Sequence, residues 1–291
     1  MNIFFDTLIK SFRAAPRRTQ RIGMSIGFIL LVFMAVEVMQ YLPDLIDWER
    51  TYRPATQLLA SGQSPYEIKS FLNPPWVLIP LIPIAFLPSK IGGGILFVIS
   101  LCALIFTAVR MGATPLSLIA FLLSFPVFFL LLFGQIDWLI LLGILMPPQI
   151  GLFFVLAKPQ IGLGIAVFWL VEAFRKGGIR RILIDFTPVA VMFCLSVVIY
   201  GFWFKNISSE LFTANYNFSL WPLSLPIGAV LLISALRTRK KEISLLSSPF
   251  FSPYVAPHSW SSALLAILPR QWEALAASLG SWIMLYMRLL R

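Results

Sequence analysis

Long apolar runs punctuated by clusters of arginine and lysine constrain this chain more than any other feature. After a basic stretch holding Lys10, Arg13, Arg17, Arg18 and Arg21, residues 22–42 are almost wholly apolar, and further apolar segments follow near 76–88, 91–109, 115–133, 136–157, 160–174, 182–203, 220–236, 243–251, 259–269 and 272–287. Where no water can satisfy the backbone, such runs must bond internally as helices or closed barrels, and a helix needs about 20 residues to cross the hydrocarbon. The chain is 59% hydrophobic and 12% charged, far from the composition of soluble domains, which carry about 25% charge. The expected fold is all-α: a polytopic transmembrane bundle with about 8–11 membrane segments, some of them short and broken. All of 1–291 forms one integral membrane domain. The first run is longer than a signal-peptide core and no small-residue cleavage site follows, so it is read as a retained helix.

The formal charge of +11 would suggest nucleic acid in a soluble protein. Here the cations gather at the ends of apolar runs, where they set orientation instead. Residues 1–21, the group Arg175, Lys176, Arg180 and Arg181, and the group Arg237, Arg239, Lys240 and Lys241 mark the cytoplasmic face. The loop 43–75 is then extracytoplasmic, in a multi-pass protein of the cell membrane. Cys102 and Cys194 lie in apolar runs without disulfide or zinc spacing and are expected to be packing residues.

The short apolar segments are also the proline-rich ones. Residues 74–88 hold Pro74, Pro75, Pro80, Pro83 and Pro88; Pro147 and Pro148 interrupt 136–157; Pro249, Pro253 and Pro257 interrupt 243–269. Proline also serves merely to kink membrane helices. Three broken segments in one chain point further, to a protein-lined cavity that satisfies the freed backbone groups. Two topologies fit the cation map. In one, 74–88 spans and 136–157 is a single kinked helix, leaving Gln135 cytoplasmic. In the other, 74–88 lies along or dips into the outer surface and 136–157 forms two half-helices, leaving Gln135 extracytoplasmic. The second fits better, because thirteen proline-broken residues make a poor span.

Polar residues are scarce enough to be read one by one. Asp44, Asp47 and Glu49 crowd the exit of the first apolar run. Trp48, Tyr52, Ala55, Leu58 and Leu59 have helical spacing, giving an amphipathic helix at the membrane surface with its aromatics at headgroup level, ended by Gly62. A carboxylate beneath that helix can act as a general base toward a hydroxyl, whereas capping would explain one aspartate alone. Glu49 is expected to be solvated or paired with Arg53. Gln135 and Asp137 interrupt two apolar runs and are costly to bury without partners. Lys158 and Gln160 interrupt the next turn; Lys158 can pair with a carboxylate, bind a phosphate as a point charge, or snorkel at a helix end. His258, the only histidine, lies between two half-length segments. The chain carries no phosphate-binding glycine loop, no His/Cys metal cluster and no Gly-x-Ser-x-Gly elbow. Asn206-Ile207-Ser208 matches a glycosylation sequon.

Taken in order, several short pieces resemble the polytopic GT-C glycosyltransferases, most closely glycosyltransferase family 87, the polyprenol-phosphate-mannose-dependent mannosyltransferase type. They are Asp47-Trp48 with Tyr52, Ala55 and Leu59; Gly62 and Pro65-Tyr66; Pro74-Pro75 with Pro83 and Leu87-Pro88; Gly134-Gln135 with Asp137; Lys158-Pro159; and Ser248-Pro249 with Tyr254. The resemblance covers roughly residues 20–265. It implies a lipid-linked sugar donor entering from the membrane, no metal or other cofactor, and a loop aspartate as general base, Asp47 first and Asp44 in reserve. Lys158 would meet the donor phosphate, with Gln135, Asp137, Gln160, Tyr66, Tyr254 and His258 around the substrates. The chain departs from the family in its shorter length, its short Pro147-Pro148-Gln149 turn, and the Val255-Ala256-Pro257 that follows Tyr254.

Three functions follow in order of fit. The first is transfer of a hexose, mannose by the resemblance, from a polyprenyl-phosphate carrier to an extracytoplasmic glycolipid or glycan. The second is a transporter or flippase of lipid-linked material, since broken helices and intramembrane polar groups also mark transport sites. The third is a non-catalytic subunit of a larger membrane complex. Membrane lipids are partners in each, and nucleic acid in none.

Overall fold

The computed structural model describes residues 44–206 and 216–290, with only scattered positions before 44. The basic N-terminus, the first apolar run at 22–42 and most of the sequon loop lie outside the described residues. Among the described residues every regular element is helical.

A turn of π-helix, Trp48–Tyr52, leads into α1 (Arg53–Ala60), and Gly62 closes it with φ +75. Its periodicity is as expected, and protein covers its apolar face. Trp48 is 0% and Tyr52 4% exposed, because the following elements pack over them. A 3-10 helix, Pro75–Leu81, and the short α2 (Ile82–Ala85) form the broken segment, and the long α3 (Ser89–Arg110) runs away from it. Gly92 and Gly93 let α3 approach closely: a Cβ on Gly92 would sit 2.6 Å from the Ile84 carbonyl oxygen and 3.0 Å from the Trp48 ring. Glu49 accepts a hydrogen bond from Ser89, while Arg53 donates to the Leu87 carbonyl at 3.3 Å. Glu49 is thus half-buried beside the start of α3, and among the described residues it forms no ion pair with Arg53.

α4 (Pro115–Leu122) and α5 (Phe125–Phe133) meet at a 53° bend. Residues 136–157 then split at Pro147 into α6 (Asp137–Gly143) and α7 (Pro148–Val155). These half-helices touch backbone to backbone: a Cβ on Gly151 would meet the Gly143 carbonyl oxygen at 2.6 Å. α8 (Pro159–Tyr200) breaks at Gly177 and Gly178, the latter at φ +60. A straight helix of its 42 residues would be about 63 Å long. Both of its ends nevertheless lie by Tyr66. The Tyr66 hydroxyl donates to the Asn73 carbonyl, whose side chain donates to the Ala157 carbonyl at 3.1 Å, and the Tyr66 ring contacts Tyr200 and stacks on Trp203. α8 is therefore a hairpin with legs 159–176 and 179–200. α9 (Leu225–Thr238), α10 (Lys241–Ser247), α11 (Ser261–Ile267) and α12 (Gln271–Leu289) complete the chain.

Among the described residues two helices, α3 and α8, are long and apolar enough to cross a membrane, or up to three spans if the bent α4–α5 pair counts as one. Cys102 and Cys194 are exposed on α3 and on the second leg of α8, so they are not the packing residues expected. A cysteine in an apolar run looks the same from sequence whether it faces lipid or core.

Candidate functional site

Six polar side chains from four segments join in one hydrogen-bonded chain: Asp47 and Tyr52, Gln135 and Asp137, Lys158, and His258. Asp47 stands at the entry of the π-helical turn and makes no side-chain capping bond, so the capping explanation is not realised. Gly134 ends α5 in the left-handed region at φ +69, and any Cβ there would crowd Trp48 and Leu45 at 2.9 and 3.0 Å. That close approach brings Gln135 to Asp47.

The Gln135 amide donates from Nε2 to Asp47 Oδ2. Its Oε1 accepts from Lys158 Nζ at 2.7 Å and from the Tyr52 hydroxyl at 3.1 Å. Lys158 also pairs with Asp137 Oδ1, and His258 Nδ1 pairs with Asp137 Oδ2. Asp137 opens α6, where the helix dipole favours a carboxylate. Lys158 precedes Pro159 and is extended, with φ −134 and ψ 93, as a residue before proline prefers. His258 sits in the 3-10 turn Pro257–Trp260. The preceding strand-like stretch is held by Asn217, whose side chain donates to the Pro253 carbonyl and accepts from the Val255 amide.

Burial decides how these groups behave. Asp137 is 0% and Lys158 5% exposed, so Lys158 is not snorkelling. An ionic pair so buried persists only when hydrogen-bonded on all sides, which Gln135 and His258 provide. Burial raises the Asp47 carboxyl above its ordinary value; Gln135, His258 and Lys158 oppose that rise and Asp137 adds to it. Burial likewise pushes the Tyr52 hydroxyl well up, with the Asp137 and Asp47 charges adding. Tyr254 is raised by burial, then by Tyr216, then by the same two carboxylates. Both tyrosines are therefore neutral, and Tyr52 donates its hydroxyl proton to Gln135.

Not every expected residue is here. Asp44 is exposed and is not among the groups joined. Gln160, half-buried at the second position of α8, is outside the hydrogen-bonded chain as well. Tyr66 lies beyond Asn73 and Ala157, its ring engaged with Trp203, and so supports the Lys158 turn from behind. Tyr52 was expected at the membrane surface and instead bonds Gln135; its position five residues after Asp47 was the available signal. Among the described residues no group of three His, Cys, Asp or Glu side chains could hold a metal ion.

An apolar cavity of about 300 Å³ opens beside the site. Pro257, Trp260, Phe125, Leu264 and Met284 line it, and Phe129, which contacts both Phe125 and the His258 ring, separates it from the imidazole. No protein-family model, curated protein or solved structure matches the chain.

Proposed function

We propose that this protein is a membrane glycosyltransferase that moves a hexose from a polyprenyl-phosphate carrier to an extracytoplasmic lipid or glycan hydroxyl, with Asp47 as general base. The observation that carries the reading is the half-buried Asp47 carboxylate held 88 residues from its Gln135 partner, in one chain with Lys158, Asp137 and His258. The apolar cavity lined by Pro257, next in sequence to His258, supports a substrate with a hydrocarbon part, which would lie along that wall.

In this mechanism Asp47 takes the acceptor hydroxyl proton as the oxygen attacks the anomeric carbon. The bond from that carbon to the phosphate oxygen breaks, and the polyprenyl phosphate leaves with the electron pair. A carboxylate raised by burial is a better base than an ordinary one. Lys158 uses two of its three N–H donors on Gln135 and Asp137, which leaves one for a phosphate oxygen. His258, anchored through Nδ1, keeps Nε2 for the same group. The polar chain lies on the extracytoplasmic side, in a GT-C-like bundle with a cytoplasmic N-terminus.

A transport reading has one observation of its own, the paired half-helices α6 and α7 beside a buried Lys–Asp–His group. Purified protein given a radiolabelled polyprenyl-phosphate hexose and a lipid extract separates the two. Label moving into a new lipid or glycan supports transfer. Label crossing a vesicle bilayer on its original carrier, with no new product, supports transport and removes the enzyme.

A further inference from the structure

The fold joins two basic segments that lie sixty residues apart. Arg175 at the end of the first leg of α8 donates to the Leu236 carbonyl in the last turn of α9 at 2.7 Å. The turn 176–181 and the segment 237–241 therefore form one surface. Arg175 is partnered by Glu172 and Arg181 by Asp185, at 2.9 and 3.0 Å. Lys176, Arg180, Arg237, Arg239 and Lys240 are exposed, and among the described residues none of them is in an ion pair. The α8 turn is open, with no atom within 4 Å of where a Cβ of Gly178 would stand.

Depth places this surface. The leg from Pro159 to Lys176 separates it from Lys158 by about 27 Å at 1.5 Å per residue, close to the ~30 Å hydrocarbon thickness. Just inside it the surface turns apolar: Ile179 is 69%, Leu183 59% and Phe174 58% exposed. A ligand bound here meets unpaired cations at one end and a greasy wall at the other.

We propose that this face binds the anionic head groups of phospholipids in the leaflet opposite Asp47, with their acyl chains along Phe174, Ile179 and Leu183. Each cation near such a surface adds to the attraction for anionic head groups, and the attraction weakens as salt screens it. The adjoining apolar wall favours a lipid over free phosphate. This inference is independent of the glycosyl-transfer reading.

The test uses the full chain in phosphatidylcholine bilayers and compares the motionally restricted fractions of spin-labelled phosphatidylglycerol and spin-labelled phosphatidylcholine. Wild type should prefer phosphatidylglycerol by about fivefold or more at low salt. The Lys176→Gln/Arg180→Gln/Arg237→Gln/Lys240→Gln protein should show no preference while Arg180→Lys/Arg237→Lys keeps it. If the fourfold variant does not fold, as read by thermal unfolding, Lys176→Gln/Lys240→Gln should still lower the preference at least twofold. Equal association of the two lipids with wild type, or an unaltered preference in the Gln variants, overturns the proposal. So does inorganic phosphate abolishing the preference at an ionic strength where sodium chloride does not, since that identifies a site for free phosphate.

Discussion

Gln135 holds Asp47 by its amide N–H while its carbonyl oxygen takes a hydrogen bond from Lys158 at 2.7 Å. One neutral side chain thereby fixes its own orientation and couples a half-buried carboxylate to a fully buried ion pair. Flipping the amide would face its N–H₂ to Lys158 and its oxygen to Asp47, so the two neighbours leave a single arrangement.

That coupling predicts a pH effect. The Gln135 hydrogen bond stabilises the ionised Asp47 and lowers its carboxyl, against the larger raising effect of burial. Gln135→Leu removes the lowering contribution alone. The acid limb of transfer activity should move to higher pH in Gln135→Leu, measured from kcat/KM against pH. A limb unchanged or moved to lower pH contradicts the assigned contact.

Lys158 and Asp137 should be unequal to the sum of their parts. Lys158→Met strands a carboxylate of 0% exposure, and removing one partner of a buried pair costs about 3–5 kcal/mol. Adding Asp137→Asn should recover part of that loss in thermal or denaturant unfolding in detergent, a coupling expected between contacting groups. Strictly additive losses would show that the pair is not formed.

Close glycine contacts make a packing prediction. A Cβ on Gly162 would land on the Val155 carbonyl, which belongs to the half-helix α7 rather than to a movable side-chain tip. Gly162→Ala should destabilise by about 1–3 kcal/mol, as overpacking does, seen as a lowered unfolding midpoint. Gly280→Ala, inside α12 and with nothing within 4 Å of its Cβ, should be neutral or stabilising by up to about 1 kcal/mol.

The hairpin in α8 predicts sidedness. With both native cysteines replaced by alanine, Asp44→Cys and Lys176→Cys should react with an impermeant thiol reagent from opposite sides of sealed vesicles. Labelling of both from one side would contradict the placement of Asp47 and the basic turn at opposite surfaces.

Much of this arrangement was legible residue by residue, and the exceptions have physical causes. Gln135, Asp137 and Lys158 stood out because each interrupts an apolar run and is costly to bury alone; the structure supplies each with a partner. Pro147 marked the break between α6 and α7, and the cations at 175–181 marked the turn of α8. What pairs with what was not legible, because it depends on Gly134 adopting a left-handed backbone against Trp48. Helical spacing gave Tyr52 and Trp48 a common face without saying what covers it. Residue type alone does not separate Asp44 from Asp47; the resemblance puts Asp47 first, and it is Asp47 that Gln135 reaches.

The central claim is that Asp47 removes the proton from the acceptor. The most direct measurement is transfer of radiolabelled hexose from polyprenyl phosphate by wild type, Asp47→Asn and Asp44→Asn, with donor binding measured in parallel. Asp47→Asn should lose about 10²-fold or more in rate while still binding donor, and Asp44→Asn should retain activity. Full activity in Asp47→Asn would contradict the account.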